Sequence, residues 1–187
     1  ASGSTGSGDV PDGFAASATL TVLDAGEILT GNKISLVTAG GDTVTITGHG
    51  SANAMTTTSG ASADGTFDAS TVSGGSSDNI AQALAIATTI NLHDDFTAST
   101  GGTAVVTVTQ NTKGTAGNSA SSPSSAVGSG GGAITDASHL LIVTFSGGTE
   151  PRDAGNMGTG SCAAIWYLQN GKIQLSGNLV RSEERSG

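Results

Sequence analysis

The sequence predicts an α+β protein, mainly β, with antiparallel sheets, one amphipathic helix over about 78–92 and a C-terminal β-hairpin. Three observations predict it. Apolar and hydroxyl side chains alternate in Thr19-Leu20-Thr21-Val22, Ile34-Ser35-Leu36 and Thr43-Val44-Thr45-Ile46-Thr47, which is the period of strands buried on one face. Over Asn79–Asn91 the period changes: Ile80, Ala83, Leu84, Ala87 and Ile90 form an i, i+3, i+4 stripe. Asn170-Gly171 separates two short strand-like runs, the strongest local signal for a two-residue hairpin turn.

Residues 1–15, rich in Gly and Ser, read as a flexible N-terminal arm. Residues 16–118 follow as a β-β-α-β-β module. Within it, Ala39-Gly40-Gly41-Asp42 suits a tight turn, because glycine tolerates positive φ. Leu20, Val22, Ile34, Leu36, Val44 and Ile46 are expected on one shared buried face, with the threonines on the other. Residues 48–76 are polar and read as a surface loop with room for one short strand, pinned by Phe67 and Val72. Ser77-Asp78 is placed to N-cap the helix. Asp94 and Asp95 oppose the dipole at its far end and are assigned to the next turn. Strand character returns in Phe96–Ser99 and Ala104–Thr109, around Gly101-Gly102.

Residues 119–133 are almost wholly Ser, Gly, Ala and Pro, the composition of a linker or long exposed loop. Residues 134–187 form a β-rich C-terminal segment. His139–Phe145 is its most apolar strand, and a glycine-rich loop over 146–160 leads to the hairpin. A two-residue turn at Asn170-Gly171 sets Trp166 opposite Leu175 and Leu168 opposite Ile173. Ile165, Tyr167, Lys172 and Gln174 then share the other face, the expected interface patch.

Composition narrows the function classes. Leu, Ile, Val and Phe make up about a fifth of the 187 residues, close to the level at which chains fail to form a core. Burying one large apolar side chain contributes roughly 1.5–3 kcal/mol, while ordering each residue's backbone costs about 1–2 kcal/mol. A lone monomer is therefore expected to be marginal, and burial against copies of itself is the natural remedy. The net charge is −9 with only six Lys plus Arg. No basic patch for nucleic acid is available, and anionic membrane surfaces are disfavoured for the same reason. The single cysteine, Cys162, forms no intrachain disulfide and reads as a small buried hydrophobe. No run approaches the length of a membrane span, and the opening residues lack the basic start and apolar core of a signal peptide.

The residues that could carry chemistry do not fall into a pattern. His49, His93 and His139 are widely spaced, show no metal-ligand spacing and read as surface or hydrogen-bonded histidines. Gly26–Gly31 resembles a phosphate loop, yet Asn32 stands where lysine is needed and no helix follows. No Gly-Xaa-Ser-Xaa-Gly elbow is present, and Ser161-Cys162 has no neighbouring base in sequence. Asp24, Asp42, Asp64, Asp68, Asp94, Asp95 and Asp153 could supply hard oxygen ligands, with Asp94-Asp95 the best local pair. They match no calcium-loop spacing and read as solvated turn acids. No catalytic residue, cofactor or metal ligand is assigned, and no enzymatic activity is expected.

Three segments do form a recognisable pattern. They are the hairpin around Asp42-Thr43-Val44-Thr45-Ile46, the helix start Asn79-Ile80-Ala81-Gln82-Ala83-Leu84, and Phe96–Ser99 with Val106–Gln110 and the closing Gly114-Thr115-Ala116-Gly117-Asn118 turn. Together residues 17–118 resemble a module of structural proteins of tailed bacteriophages, including head-decoration and tail or fibre components. The resemblance implies a non-catalytic, multi-copy role in the virion, with copies of itself and other virion proteins (the major capsid protein or tail components) as partners. A capsid decoration protein is the expected role; a tail or fibre subunit, or a bacterial surface adhesin or carbohydrate-binding module, is the alternative. The module occurs once here, and residues 134–187 fall outside it.

Overall fold

A computed structural model describes residues 13–50, 53–59, 63–70, 75–126, 138–150, 165–169 and 172–176, the last two runs by their backbone. The elements are β1 (Ala15–Val22), β2 (Lys33–Val37), β3 (Thr43–His49), β4 (Ala54–Met55), β5 (Asp64–Asp68), α1 (Ser76–Ile90), β6 (Phe96–Ser99), β7 (Val105–Lys113), β8 (Ser124–Ala126), β9 (Leu140–Ser146), β10 (Ile165–Gln169) and β11 (Lys172–Ser176). The fold is α+β and mainly β, with one helix among the described residues. The chain divides into two compact units, one over Pro11–Pro151 and one that contains β10 and β11.

The larger unit is built on two sheets. Strands run β6-β7-β1-β9 in one, all antiparallel, and β4-β5-β3-β2-β8 in the other. In the second sheet β3 and β5 are parallel and the remaining pairs antiparallel. The expected β2–β3 hairpin forms, with Ile34 opposite Ile46 and Leu36 opposite Val44. Its link closes through Thr38 N–H to Asp42 O (2.8 Å), with Gly41 at φ +92°.

The shared face expected for six strand residues is divided. All six are buried, but Leu20 and Val22 belong to one sheet and Ile34, Leu36, Val44 and Ile46 to the other. The chain between β1 and β2 is no tight turn: Asp24 caps a 3₁₀ turn over Ala25–Glu27, which carries β2 away from β1. β1 pairs instead with β7 and β9. The 48–76 stretch holds β4 and β5, and Phe67 on β5 is fully buried; Val72 lies outside the described residues. Glycine is required at position 65, where a Cβ would stand 2.8 Å from Ala54 O and 2.9 Å from Met55 Sδ.

The helix is longer than expected at its start and turned about its axis. Gly75 takes the N-cap position without a side-chain bond; Ser77 and Asp78 lie in the first turn, where the carboxylate complements the dipole. The inward face is Gln82, Ala83, Ile86, Ala87, Thr89 and Ile90. Ile80 and Leu84, expected inside, are 39% and 57% exposed. Two polar side chains account for the rotation. Gln82 Nε2 donates to Asp68 O (2.8 Å) and Thr89 Oγ1 to Thr66 O (3.0 Å), fixing those residues against β5. The helix packs on β5 of one sheet and on β1, β6 and β7 of the other, so one core takes side chains from both sheets and the helix.

The stretch 119–133 reads as a linker or long exposed loop, and its described part, 119–126, is built into the larger unit. β8 lies within it and pairs with β2, and β9 beyond it pairs with β1. The sheets are joined at Val37. Its N–H donates to Ser122 Oγ (2.7 Å) and its carbonyl accepts from Gln110 Nε2 (2.8 Å), while Ala39 N–H donates to Gln110 Oε1 (3.1 Å). Gln110 is on β7, and the Ser122 carbonyl accepts from Phe145 N–H of β9 (2.7 Å). Two side chains thus continue, at residues 37–39, the pairing that β8 gives β2 at residues 33–35.

In the second unit β10 and β11 pair with Trp166 opposite Leu175 and Leu168 opposite Ile173. The turn residues Asn170 and Gly171 lie outside the described residues.

Gln110→Leu keeps the side-chain volume and removes both of its bonds to the β2–β3 link. It should cost up to about 1–3 kcal/mol for each part-buried backbone partner left unpaired, seen as a lower urea midpoint at unchanged slope. An unchanged midpoint would show that the sheets hold together without it.

Candidate functional site

The surface is built from strand alternation. On the four-stranded sheet, the residues that leave the core are Thr97 and Ser99 of β6, Val105, Thr107 and Thr109 of β7, and Ser17, Thr19 and Thr21 of β1. Register sets them in rows. Ser99, Thr107, Thr19 and Val143 form one; Val105, Thr21 and Leu141 form another. The rows are hydroxyl-rich in the middle of the sheet and end on aliphatic side chains at β9. Leu141 is 45% exposed and Val143 54%.

A second apolar surface lies on the helix. Ile80, Leu84 and Leu92 stand at i, i+4 and i+12 and are all exposed. Leu23, which follows β1, is also exposed. Its N–H donates to His139 O (2.9 Å) just before β9, and its carbonyl accepts from Asn79 Nδ2 (2.8 Å) at the start of the helix. Leu141 and Val143 lie on the sheet face away from the core, whereas the helix packs on the core side, so the exposed aliphatic residues form separate sets. Sequence reasoning missed them. The helix carries a single charged residue, Asp78, and is apolar or small around most of its circumference, the signal of a helix covered on more than one side.

The residues expected at the hairpin interface lie on β10 and β11. Tyr167 pairs with Gln174, Gln169 with Lys172 and Ile165 with Ser176. Their side chains lie outside what is described. The three histidines are not brought together. His49 is exposed at the end of β3, and His139 precedes β9. His93 is buried rather than on the surface, because the turn after the helix sends Leu92 outward and His93 inward. Its ring centroid is 5.6 Å from that of Phe96, which stacks on Phe145 at 6.0 Å. Its Nδ1 accepts from Asp95 N–H (3.3 Å), and Nε2 has no partner among the described residues.

Several acids are engaged in local structure. Asp24 Oδ1 accepts from Gly26 N–H (3.0 Å), and Asp68 Oδ1 accepts from the Ser70 N–H (2.9 Å) and hydroxyl (2.6 Å). Among the described residues no three His, Cys, Asp or Glu side chains converge on a point that could hold a metal. Asp153 and Cys162 lie outside them. A shallow open trough of about 250 Å³ runs over the five-stranded sheet, lined by Lys33, Thr45, Thr47, Thr56, Asp64 and Thr66 among others. Two of its hydroxyls serve the fold itself: Thr45 bonds Ser35 Oγ (3.1 Å) and Thr56 donates to Asp64 O (2.6 Å).

Comparison of the chain with known protein families, with curated proteins and with solved structures finds no match.

One exposed carboxylate ties the chain after β9 to the chain after β7. Glu150 Oε1 accepts from Thr115 N–H (2.8 Å) and from the Thr115 hydroxyl (2.7 Å). The backbone bond, then the hydroxyl, holds its pKa below the ordinary 4.5. Because the folded pKa is depressed, the tie is complete above the ordinary glutamate range and is lost as pH falls through the lowered value. The Thr115 amide chemical shift should follow that titration, and in Glu150→Gln it should be insensitive to acid over the same range. A Thr115 shift that titrates unchanged in the variant would assign it to another group.

Proposed function

We propose that this chain is a non-enzymatic structural protein that works in many copies on the outside of a virus particle, as a capsid decoration protein acting through protein–protein contacts. The observation that carries the reading is the placement of the exposed aliphatic residues. Leu141 and Val143 on β9, Leu23 after β1, and Ile80 and Leu84 on the helix are large aliphatic side chains left 39–57% exposed in the single chain. Partial exposure forfeits only a share of the roughly 1.5–3 kcal/mol that fully burying each such side chain would contribute, and association would recover that share.

The rest of the surface suits the same role. The outer face of its four-stranded sheet carries rows of Thr and Ser, suited to packing on another protein. The acidic balance, −9 overall, argues against nucleic acid and anionic membranes as partners. Attribution to tailed bacteriophages rests on the resemblance of residues 17–118.

Quantitative mass spectrometry of purified virus particles from the source tests the proposal. A copy number equal to that of the major capsid protein, or a simple fraction of it, is expected. A handful of copies per particle would overturn decoration in favour of a tail or fibre position, and absence from particles would overturn the virion role.

A further inference from the structure

Strand register builds the trough on the five-stranded sheet. β2, β3, β5 and β4 lie side by side, and pairing sets Lys33, Thr47, Thr66 and Ala54 in one row across them. Thr45 and Asp64 are neighbours in the next row, and Thr56 N–H donates to Asp64 O (2.8 Å). These residues line the trough of about 250 Å³. The residues that alternate with them, Ile34, Val44, Ile46 and Phe67, are fully buried, so the floor is tied into the core. Along that floor the side chains are short. Lys33 and Asp64 stand two strands apart, about 10 Å across the sheet, and no ion pair joins them among the described residues. Each charge is therefore available to a molecule lying between them.

We propose that this trough binds a neutral sugar residue. A pyranose ring carries hydroxyls that both donate and accept around its edge, and C–H groups on its faces. The trough matches both. The Lys33 ammonium donates, the Asp64 carboxylate accepts, and the Thr47 and Thr66 hydroxyls do either. Threonine methyls and Ala54 supply apolar contact. Bonds from a sugar hydroxyl to the carboxylate and from the ammonium to a sugar oxygen are charge-assisted, roughly twice as strong as neutral ones. Charged ligands fit less well. An anion drawn to Lys33 would lie near Asp64 on a chain of net charge −9, and a cation drawn to Asp64 would meet Lys33. A flat aromatic ligand would find no aromatic side chain among the lining residues. With no ring to stack on and one side open to solvent, a single site should hold its sugar at about millimolar Kd. Many copies on one surface would multiply that affinity. The site does not depend on the virion role.

Amide NMR of the isotope-labelled chain tests the site, with glucose, galactose, mannose and N-acetylglucosamine as neutral probes and glucuronic acid and glucosamine as charged ones. At least one neutral sugar should move the Thr45, Thr47, Asp64 and Thr66 amide shifts and saturate in the millimolar range. Asp64→Ala and Lys33→Met should each weaken that binding about tenfold or more, the loss of one hydrogen bond to a charged group. Shifts elsewhere in each variant should stay in place, which establishes folding, and Ser99→Ala on the other sheet should bind as the unmodified chain does. Movement caused by the charged probes and by no neutral sugar would overturn the neutral-sugar assignment. Movement that both variants leave equally strong would place binding elsewhere and overturn the site. No movement with any probe at its highest soluble concentration would overturn it outright. Copy number in virus particles is a separate measurement, so either reading can fail alone.

Discussion

The backbone of Val37 is where the two sheets become one body. Its N–H and C=O are taken by Ser122 Oγ and Gln110 Nε2, and Gln110 also accepts from Ala39. A sequence with few large apolar residues has little dispersion energy with which to clamp two sheets face to face. It uses buried polar side chains instead, which fix geometry because each has specific partners to reach. Gln82 and Thr89 do the same between the helix and β5. The result is a core of alanines, valines and isoleucines with amide and hydroxyl ties through it.

This construction has consequences for the surface. When helix orientation is set by Gln82 and Thr89, aliphatic residues at other positions turn outward, and Ile80 and Leu84 are left exposed. When β9 is the edge of its sheet, the outward side of its pleat carries Leu141 and Val143 into solvent. Both exposures follow from how the chain is held together.

Much of the fold is legible in the sequence because it is carried by local periodicity. The β2–β3 hairpin, with Ile34 against Ile46, follows from alternation and two glycines, and the extent of the helix follows from its 3.6-residue period. What local pattern does not carry is which strand neighbours which. Alternation assigns Leu20 and Ile34 an inward face without saying that they belong to different sheets. A 3₁₀ turn at Ala25–Glu27 decides that. The composition of 119–133 reads as linker because Ser, Gly and Pro dominate it, yet Ser122 is buried and bonds both sheets. Helix rotation was misread for a related reason: a hydrophobicity stripe gives no weight to Gln82 and Thr89, which are inside because of backbone acceptors on β5. The exposed aliphatic residues are legible only as an unexplained excess, an uncharged strand and a nearly uncharged helix.

On the proposed multi-copy reading, the single chain is stabilised by association with its own copies. Thermal unfolding followed across a wide range of protein concentration tests it most directly, because a species that binds only the folded state raises Tm by mass action. The account predicts a midpoint that climbs with concentration. A midpoint that stays the same at every concentration would contradict it.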